Sequence, residues 1–473
     1  MNRHWQQLKN KALELSYRTA DQHVRLAVTG LAGAGKTAFI TAIINKLINA
    51  SPEHANQLPL FTVCLEQRLL ETKRVLQPDL QLASFAYDAA LAQLTATPPQ
   101  WPASTTNISE LRLAIKYRPQ QGLRGRLLNG ASATLLLDIV DYPGEWLLDL
   151  PMLEQDYRQW CHSIWAAAAN FSRSPFFEEF KASVMALQPA TEASDELLAA
   201  IAHNYQRLLQ DMVQQQGFYL AQPGRMLLPG DLAGAPILSF FPLLPEQLAA
   251  RDTYGRHSIY QVLEQRYQEY VTQVVRPFYY DYFAGFDRQL VLVDCFTALN
   301  RGKAQFDDMT QALNAITQSF RFGSRSLLRR LFAPKIDRLL FAASKVDQIT
   351  RDQQGNVLAL LNAILAPGRN FADSAGCMVE TMAVSAIRAT RPGMVKDSDY
   401  GEQEVVVGKR LLDQQPVTLY PGQVPRQLPD ANFWQQQGFR FCDFAPPTLP
   451  AGQPFEHIRL DYLLNFLLGD KLQ

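Results

Sequence analysis

Three short runs in this sequence have the residue types and spacing to hold a nucleoside triphosphate. The first, Gly30-Leu-Ala-Gly33-Ala-Gly35-Lys36-Thr37, fits GxxxxGK[ST] at every fixed position. Its glycines let successive backbone amides turn inward onto phosphate oxygens, so Gly30, Ala32, Gly33, Ala34, Gly35, Lys36, Thr37 and Ala38 are the candidate phosphate contacts. The helix expected after the loop adds the positive end of its dipole. Lys36 supplies a mobile cation for the β- and γ-phosphates, and Thr37 offers a hydroxyl to Mg²⁺, which prefers hard oxygen ligands.

The second run is Asp141-Tyr-Pro-Gly144, at the end of an apolar stretch. A carboxylate there can hold Mg²⁺ through a water, which makes Asp141 a metal candidate. An amide three residues later can meet the γ-phosphate, a contact that exists only while that phosphate is present, so Gly144 is a candidate switch residue. Asp138 is a rival for the metal role, deeper in the stretch. Glu145 follows Gly144 where a water-orienting residue would stand. A carboxylate there can take a proton from water, but it also repels a γ-phosphate by about 1 kcal/mol or more, which predicts slow hydrolysis.

The third is Ser344-Lys345-Val-Asp347, with Ser385-Ala386-Ile387 after the next apolar run. The Asp347 carboxylate can accept from guanine N1–H and its N2 amine, both of which adenine lacks. The Lys345 stem can lie along the base, and the amides around Ser385, Ala386 and Ile387 can meet guanine O6.

These runs need a scaffold that brings them to one edge. Residues 23–29, 111–117, 133–140, 289–295, 338–343 and 378–384 read as strands, with the second and third forming an antiparallel ribbon. Helical patterns at 37–48, 303–320 and 354–366 alternate with them, so the fold class is α/β with a largely parallel sheet covered on both faces. Residues 51–110 read as irregular. From 145 to 287 the pattern is helical: Leu197, Leu198, Ile201, Tyr205, Leu208, Leu209 and Met212 share one face after a Ser194–Asp195 cap, and Ile259, Leu263, Tyr267, Tyr270 and Val274 share another. The division is thus 1–144, a helical insertion at 145–287, and 288–473, the last containing a hairpin at 405–420 and a closing helix at 458–468.

The 473 residues carry 45 Lys+Arg and 45 Asp+Glu, which argues against bulk nucleic-acid binding. Five scattered cysteines without CxxC suit free thiols in a reducing cytoplasm. No apolar run reaches membrane-spanning length, and no signal peptide opens the chain. A basic stretch from Arg321 to Lys335 reads as a solvated helix end or as peripheral contact with an anionic membrane.

The order of the motifs resembles that of the Ras-like G domains. The resemblance is closer still to the YcjX-like family of bacterial stress-associated P-loop GTPases. It rests on the phosphate loop, on Pro98-Pro-Gln-Trp101-Pro with Ile108-Ser-Glu-Leu-Arg-Leu, on Asp141-Tyr-Pro-Gly-Glu-Trp146 and on Ser344-Lys-Val-Asp347. It implies a six-stranded Ras-like sheet, GTP/GDP with Mg²⁺, and a cytoplasmic switch working beside a protein partner, a membrane-bound one included. Ser344 departs from the usual Asn or Thr of the base motif. Switch I should precede the strand at 111–117, where Thr105 and Thr106 are the candidates for the metal shell, with Thr106 preferred. No arginine finger can be named; Arg124 and Arg126 are surface-like candidates. An ATPase and a nucleotide-gated scaffold that hardly hydrolyses remain competing readings.

Overall fold

The apolar runs form the strands because each is covered on both faces. In a computed structural model of the chain, the described residues are 23–52, 57–120, 132–248, 255–319, 336–374, 377–397, 401–435, 439, 441–449 and 453–473. The basic stretch from Arg321 to Lys335, Arg124, Arg126 and the first 22 residues lie outside them.

The strands are β1 (His23–Gly30), β2 (Leu69–Val75), β3 (Ala83–Ser84), β4 (Ser109–Tyr117), β5 (Ala133–Asp141), β6 (Arg288–Val293), β7 (Arg338–Ala343) and β8 (Met378–Ala383). They form one sheet in the order β2-β4-β5-β1-β6-β7-β8, with β3 on β4. The pairings from β5 through β1, β6 and β7 to β8 are parallel, and β4 runs antiparallel to β5 as expected. The described sheet has eight strands, two more than the sequence reading. The extra strands come from the stretch read as irregular. β2 is an edge strand whose Glu71, Lys73 and Arg74 are exposed, so no clean apolar alternation marks it.

The helices that cover the sheet are α1 (Lys36–Asn49), α2 (Asp195–Gln214), α3 (Ile259–Tyr270), α4 (Cys295–Arg301), α5 (Lys303–Ser319), α6 (Gln354–Ser374) and α7 (Leu460–Leu468), with shorter helices between them. α1 and α7 bury Phe39, Ile43, Leu47, Leu463 and Leu467 against Leu26, Leu137, Leu292 and Leu340 on one face. On the other face Ala27, Val140, Val291 and Phe341 belong to a single apolar cluster with α2, α3, α5 and α6. Between β5 and β6 the described chain is helical. Tyr157, Trp160, Phe240 and Tyr267 pack ring on ring at its centre, with Trp160 and Tyr267 centroids 5.4 Å apart. On α2, Ser194 caps the helix as expected, but Leu197 is exposed; the buried stripe starts at Leu198. The hairpin at 405–420 gains a third strand: β9 (Arg391–Asp397), β10 (Gly401–Lys409) and β11 (Pro416–Leu419) form a separate small sheet. No helix among the described residues is long and apolar enough to cross a membrane.

The register sets up the site. Gly30 pairs with Leu292, Val28 with Asp141, Val293 with Ala343, and Ala343 with Ala383. The carboxyl ends of five strands therefore open at one edge, where open α/β sheets bind ligands.

Candidate functional site

At that edge lies a cavity of about 520 Å³. The residues proposed from the three runs line it except Asp138, Asp141 and Gly144; Asp141 and Gly144 are buried beside Lys36 and Gly30, and Arg124 and Arg126 lie outside the described residues. Gly33 and Gly35 have φ of 80° and 78°, a backbone conformation that a side chain would strain. Gly35 is the N-cap of α1 and no side chain caps the first turn, so the helix presents its first amides to the cavity. Gly144 is needed for a different reason: a Cβ there would overlap the carbonyl oxygen of Gly30. The DYPG turn is thus seated directly on the first residue of the phosphate loop.

Lys36 donates to the Asp141 carboxylate and, at 2.8 Å, to the Tyr142 carbonyl. The Thr37 and Thr105 hydroxyls are 3.2 Å apart, and Thr105 donates to Asp141 at 2.5 Å. Thr105, not the preferred Thr106, meets these two oxygens; Thr106 lines the cavity beside it. Three hard oxygens converging in this way fit the needs of Mg²⁺. Asp138 has other company. Arg112 grips its carboxylate in a fork at 2.5 and 2.6 Å, and His23 bonds it at 2.7 Å.

Glu145 is half-buried and faces the cavity. Burial raises its carboxyl above the ordinary carboxylate range, against the pull of Lys36. It lies in the first turn of the 3₁₀ stretch Gly144–Glu154, which is fastened to the helical block. Asp149 accepts from the Gly224 amide at 2.8 Å and from the Tyr270 hydroxyl at 2.5 Å, and burial pushes its carboxyl up to about 6.

At the far side, Asp347 is buried, and its Oδ2 accepts from the Ala389 and Thr390 amides at 2.8 and 3.1 Å. Burial raises its carboxyl, while the Ser385 hydroxyl and these amides hold it down. The 385 loop is braced by Ile458, whose amide and carbonyl bond Ser385 at 2.7 and 3.0 Å. Lys345, at φ 59°, bonds Asp294 at 2.7 Å. Burial works against the charge on Asp294, yet Lys345 and Thr297 hold the carboxyl below its ordinary range. The Lys345 Cε lies 4.0 Å from where a Gly35 Cβ would stand. Motifs some 300 residues apart therefore share one cavity.

The comparisons with known proteins run over nearly the whole chain. The sequence profile of the YcjX-like family, DUF463, matches residues 24–472. The chain belongs to the YcjX-like family. It is 56% identical over 479 residues to a Shewanella oneidensis protein named Ras-like GTPase YcjX, covering 98% of both chains. It is 42% identical over 475 residues to the Escherichia coli K12 protein of the same name, covering 98% of this chain and 99% of the relative.

For this YcjX-like chain, sequence reasoning missed several cavity residues. Trp101 lines the cavity and donates from its ring nitrogen to the Phe444 carbonyl at 2.7 Å. Asp443 and Phe444 come from the C-terminal segment, and Val213 and Arg301 from helices facing the phosphate loop. Asp294 carried a readable signal: it ends an apolar strand and has Thr297 three residues later, an N-cap pair now seen at 3.0 Å.

Proposed function

We propose that this chain binds GTP with Mg²⁺ in the cavity and hydrolyses it slowly to GDP and phosphate. The observation that carries the reading is the convergence of Lys36, Thr37, Lys345 and Asp347 on one cavity. The phosphate-loop amides and Lys36 bind the β- and γ-phosphates. Asp347 selects guanine by accepting from its N1 and N2 hydrogens, with Lys345 along the base and the 385–387 amides at O6. Thr37 and Thr105 would hold Mg²⁺ directly and Asp141 through a water. The metal would neutralise charge on the β- and γ-oxygens. Water adds its oxygen to the γ-phosphorus and passes a proton to an oxygen of the departing phosphate, the bond from that phosphorus to the β,γ-bridging oxygen breaks, and GDP leaves with the electron pair.

Calorimetric titration of the purified chain with Mg²⁺ tests the reading. GDP and GTP should bind, and excess ATP should fail to displace them. Competition by ATP at equal concentration would point to an ATPase instead.

Glu145 sets the rate in this scheme. Its charge opposes the γ-phosphate by about 1 kcal/mol, so Glu145→Gln should speed single-turnover phosphate release about fivefold. A slower variant would make Glu145 the base, and an unchanged rate would remove it from catalysis.

We extend the proposal to signalling. Gly144 rests on Gly30, and Asp149 is bonded to Gly224 and Tyr270, so a shift at the γ-phosphate loop pulls on the helical block. The block thereby relays nucleotide state to a protein partner. The family resemblance supports a cytoplasmic role in a bacterial stress response.

A further inference from the structure

We propose that Arg301 is the cation this chain supplies in cis to the terminal phosphate of bound nucleotide, from outside the phosphate loop. The inference rests on the nucleotide reading above and adds a residue to it.

The placement comes from the fold. α4 starts at Asp294, at the carboxyl end of β6, the strand bonded to β1 and so to the phosphate loop. Asp294 fixes the start of that helix by accepting from the Thr297 amide at 3.0 Å and its hydroxyl at 2.7 Å. Thr297 and Arg301 are four residues apart on one helical face, and both line the cavity.

The charges separate Arg301 from the other cations of the cavity wall. Lys36 is bonded to Asp141 and Tyr142, and Lys345 to Asp294. Arg301 is exposed, and among the described residues it shows no ion pair. Its guanidinium still has a defined seat. A Cβ on Gly217, whose φ is 75°, would overlap the guanidinium, so the missing side chain makes the room. The segment carrying Gly217 is held in turn: Asp308 accepts from the Tyr219 and Leu220 amides at 2.6 and 3.0 Å, and Gln305 donates to the Gln216 carbonyl at 3.0 Å.

The same segment tells which end of the nucleotide Arg301 serves. It continues into Gln222, which donates to the Leu148 carbonyl, and into Gly224, where a Cβ would overlap the carbonyl oxygen of Glu145. The helical block therefore meets the cavity on the Glu145 side, where Gly144 rests on Gly30, and Asp347 follows β7, two strands beyond β1 in the sheet order. A guanidinium fork matches two phosphate oxygens, and a cation already in place stabilises the charge that grows there as the γ-phosphoryl leaves.

The test uses the purified full-length chain with Mg²⁺: wild type, Arg301→Ala, Arg301→Lys and Gly217→Ala. Three readouts apply: GDP affinity, formation of the GDP–aluminium fluoride complex, and single-turnover GTP hydrolysis. Arg301→Ala should keep GDP affinity within about threefold, fail to form the fluoride complex, and hydrolyse GTP slower by about 10²-fold or more. Arg301→Lys should fall between, since an ammonium lacks the fork. Gly217→Ala keeps the arginine but pushes its guanidinium aside, and should slow hydrolysis less than Arg301→Ala with GDP affinity kept. If wild type binds GDP and Arg301→Ala hydrolyses GTP within about twofold of it, the proposal fails while the nucleotide reading stands. Equal losses of GDP affinity and hydrolysis also overturn it, because the contact would then act in the ground state. A wild type with no affinity for GDP or GTP overturns both readings.

Discussion

Alanine at position 36 should weaken GTP binding by about 10²–10³-fold, from about 3–4 kcal/mol of lost charged hydrogen bonds. Lys36 is the first-turn cation of α1, and its ammonium already reaches past the helix end to the Asp141 carboxylate and the Tyr142 carbonyl. That reach places it where phosphate oxygens would lie over the loop amides. The truncation has a second consequence. Asp141 is fully buried, and without Lys36 the Thr105 hydroxyl is the side-chain partner left to it among the described residues. An uncompensated carboxylate behind the phosphate wall repels the ligand and destabilises the fold, so the melting temperature of the apo chain should fall as well. Arginine keeps the charge but brings a wide planar fork into a space shaped for an ammonium, so Lys36→Arg should recover stability more than affinity. Titration with GTP and GDP alongside thermal denaturation separates the two effects. An alanine variant that binds GTP within about threefold of wild type would leave the phosphate loop without its proposed cation.

How far the sequence spoke for itself depends on what each residue had to contact. β6 and β7 were legible because both faces of each are covered, so residues 290–293 and 339–343 read as unbroken apolar runs. β2 was not, because an edge strand needs only one covered side and its exposed charges look like loop. The phosphate loop was legible because its function fixes the residue types locally. The preference for Thr106 over Thr105 rested on position alone, and only the folded positions of Thr37 and Asp141 show that the Thr105 hydroxyl is the one beside them. Asp141 ends β5 and Asp138 lies three residues before it in the same strand, and only the folded positions of Arg112 and His23 remove Asp138 from the metal site. Trp101 stood out only as part of the family segment Pro98-Pro-Gln-Trp101-Pro, and Arg301 and Phe444 carry no pattern; all three reach the cavity because loops and helices hundreds of residues apart close over one sheet edge. Sequence thus names the residues that grip a ligand by their own backbone, and the fold adds those that approach from the other side.

Asn in place of Asp347 should cost guanine affinity by about 10²–10³-fold and turn the preference toward xanthine. The direction follows from how the carboxylate is held. Its Oδ2 accepts from two backbone amides, Ala389 and Thr390, and those donors will claim the only oxygen an asparagine has. The NH₂ group must then face the cavity. Guanine presents N–H donors at N1 and N2, so donor meets donor, and both groups lose their partners in a water-poor site. Xanthine carries a carbonyl at C2, which accepts from that same NH₂. The Thr390 hydroxyl also bonds the Asp347 carbonyl, and this backbone contact survives the substitution, so the loop stays in place and the effect falls on the base. Competition of GDP and XDP for wild type and variant measures it directly. A variant that still prefers GDP, at close to wild-type affinity, would mean that the purine is read elsewhere, with the cavity-lining Asp443 carboxylate the next residue to replace.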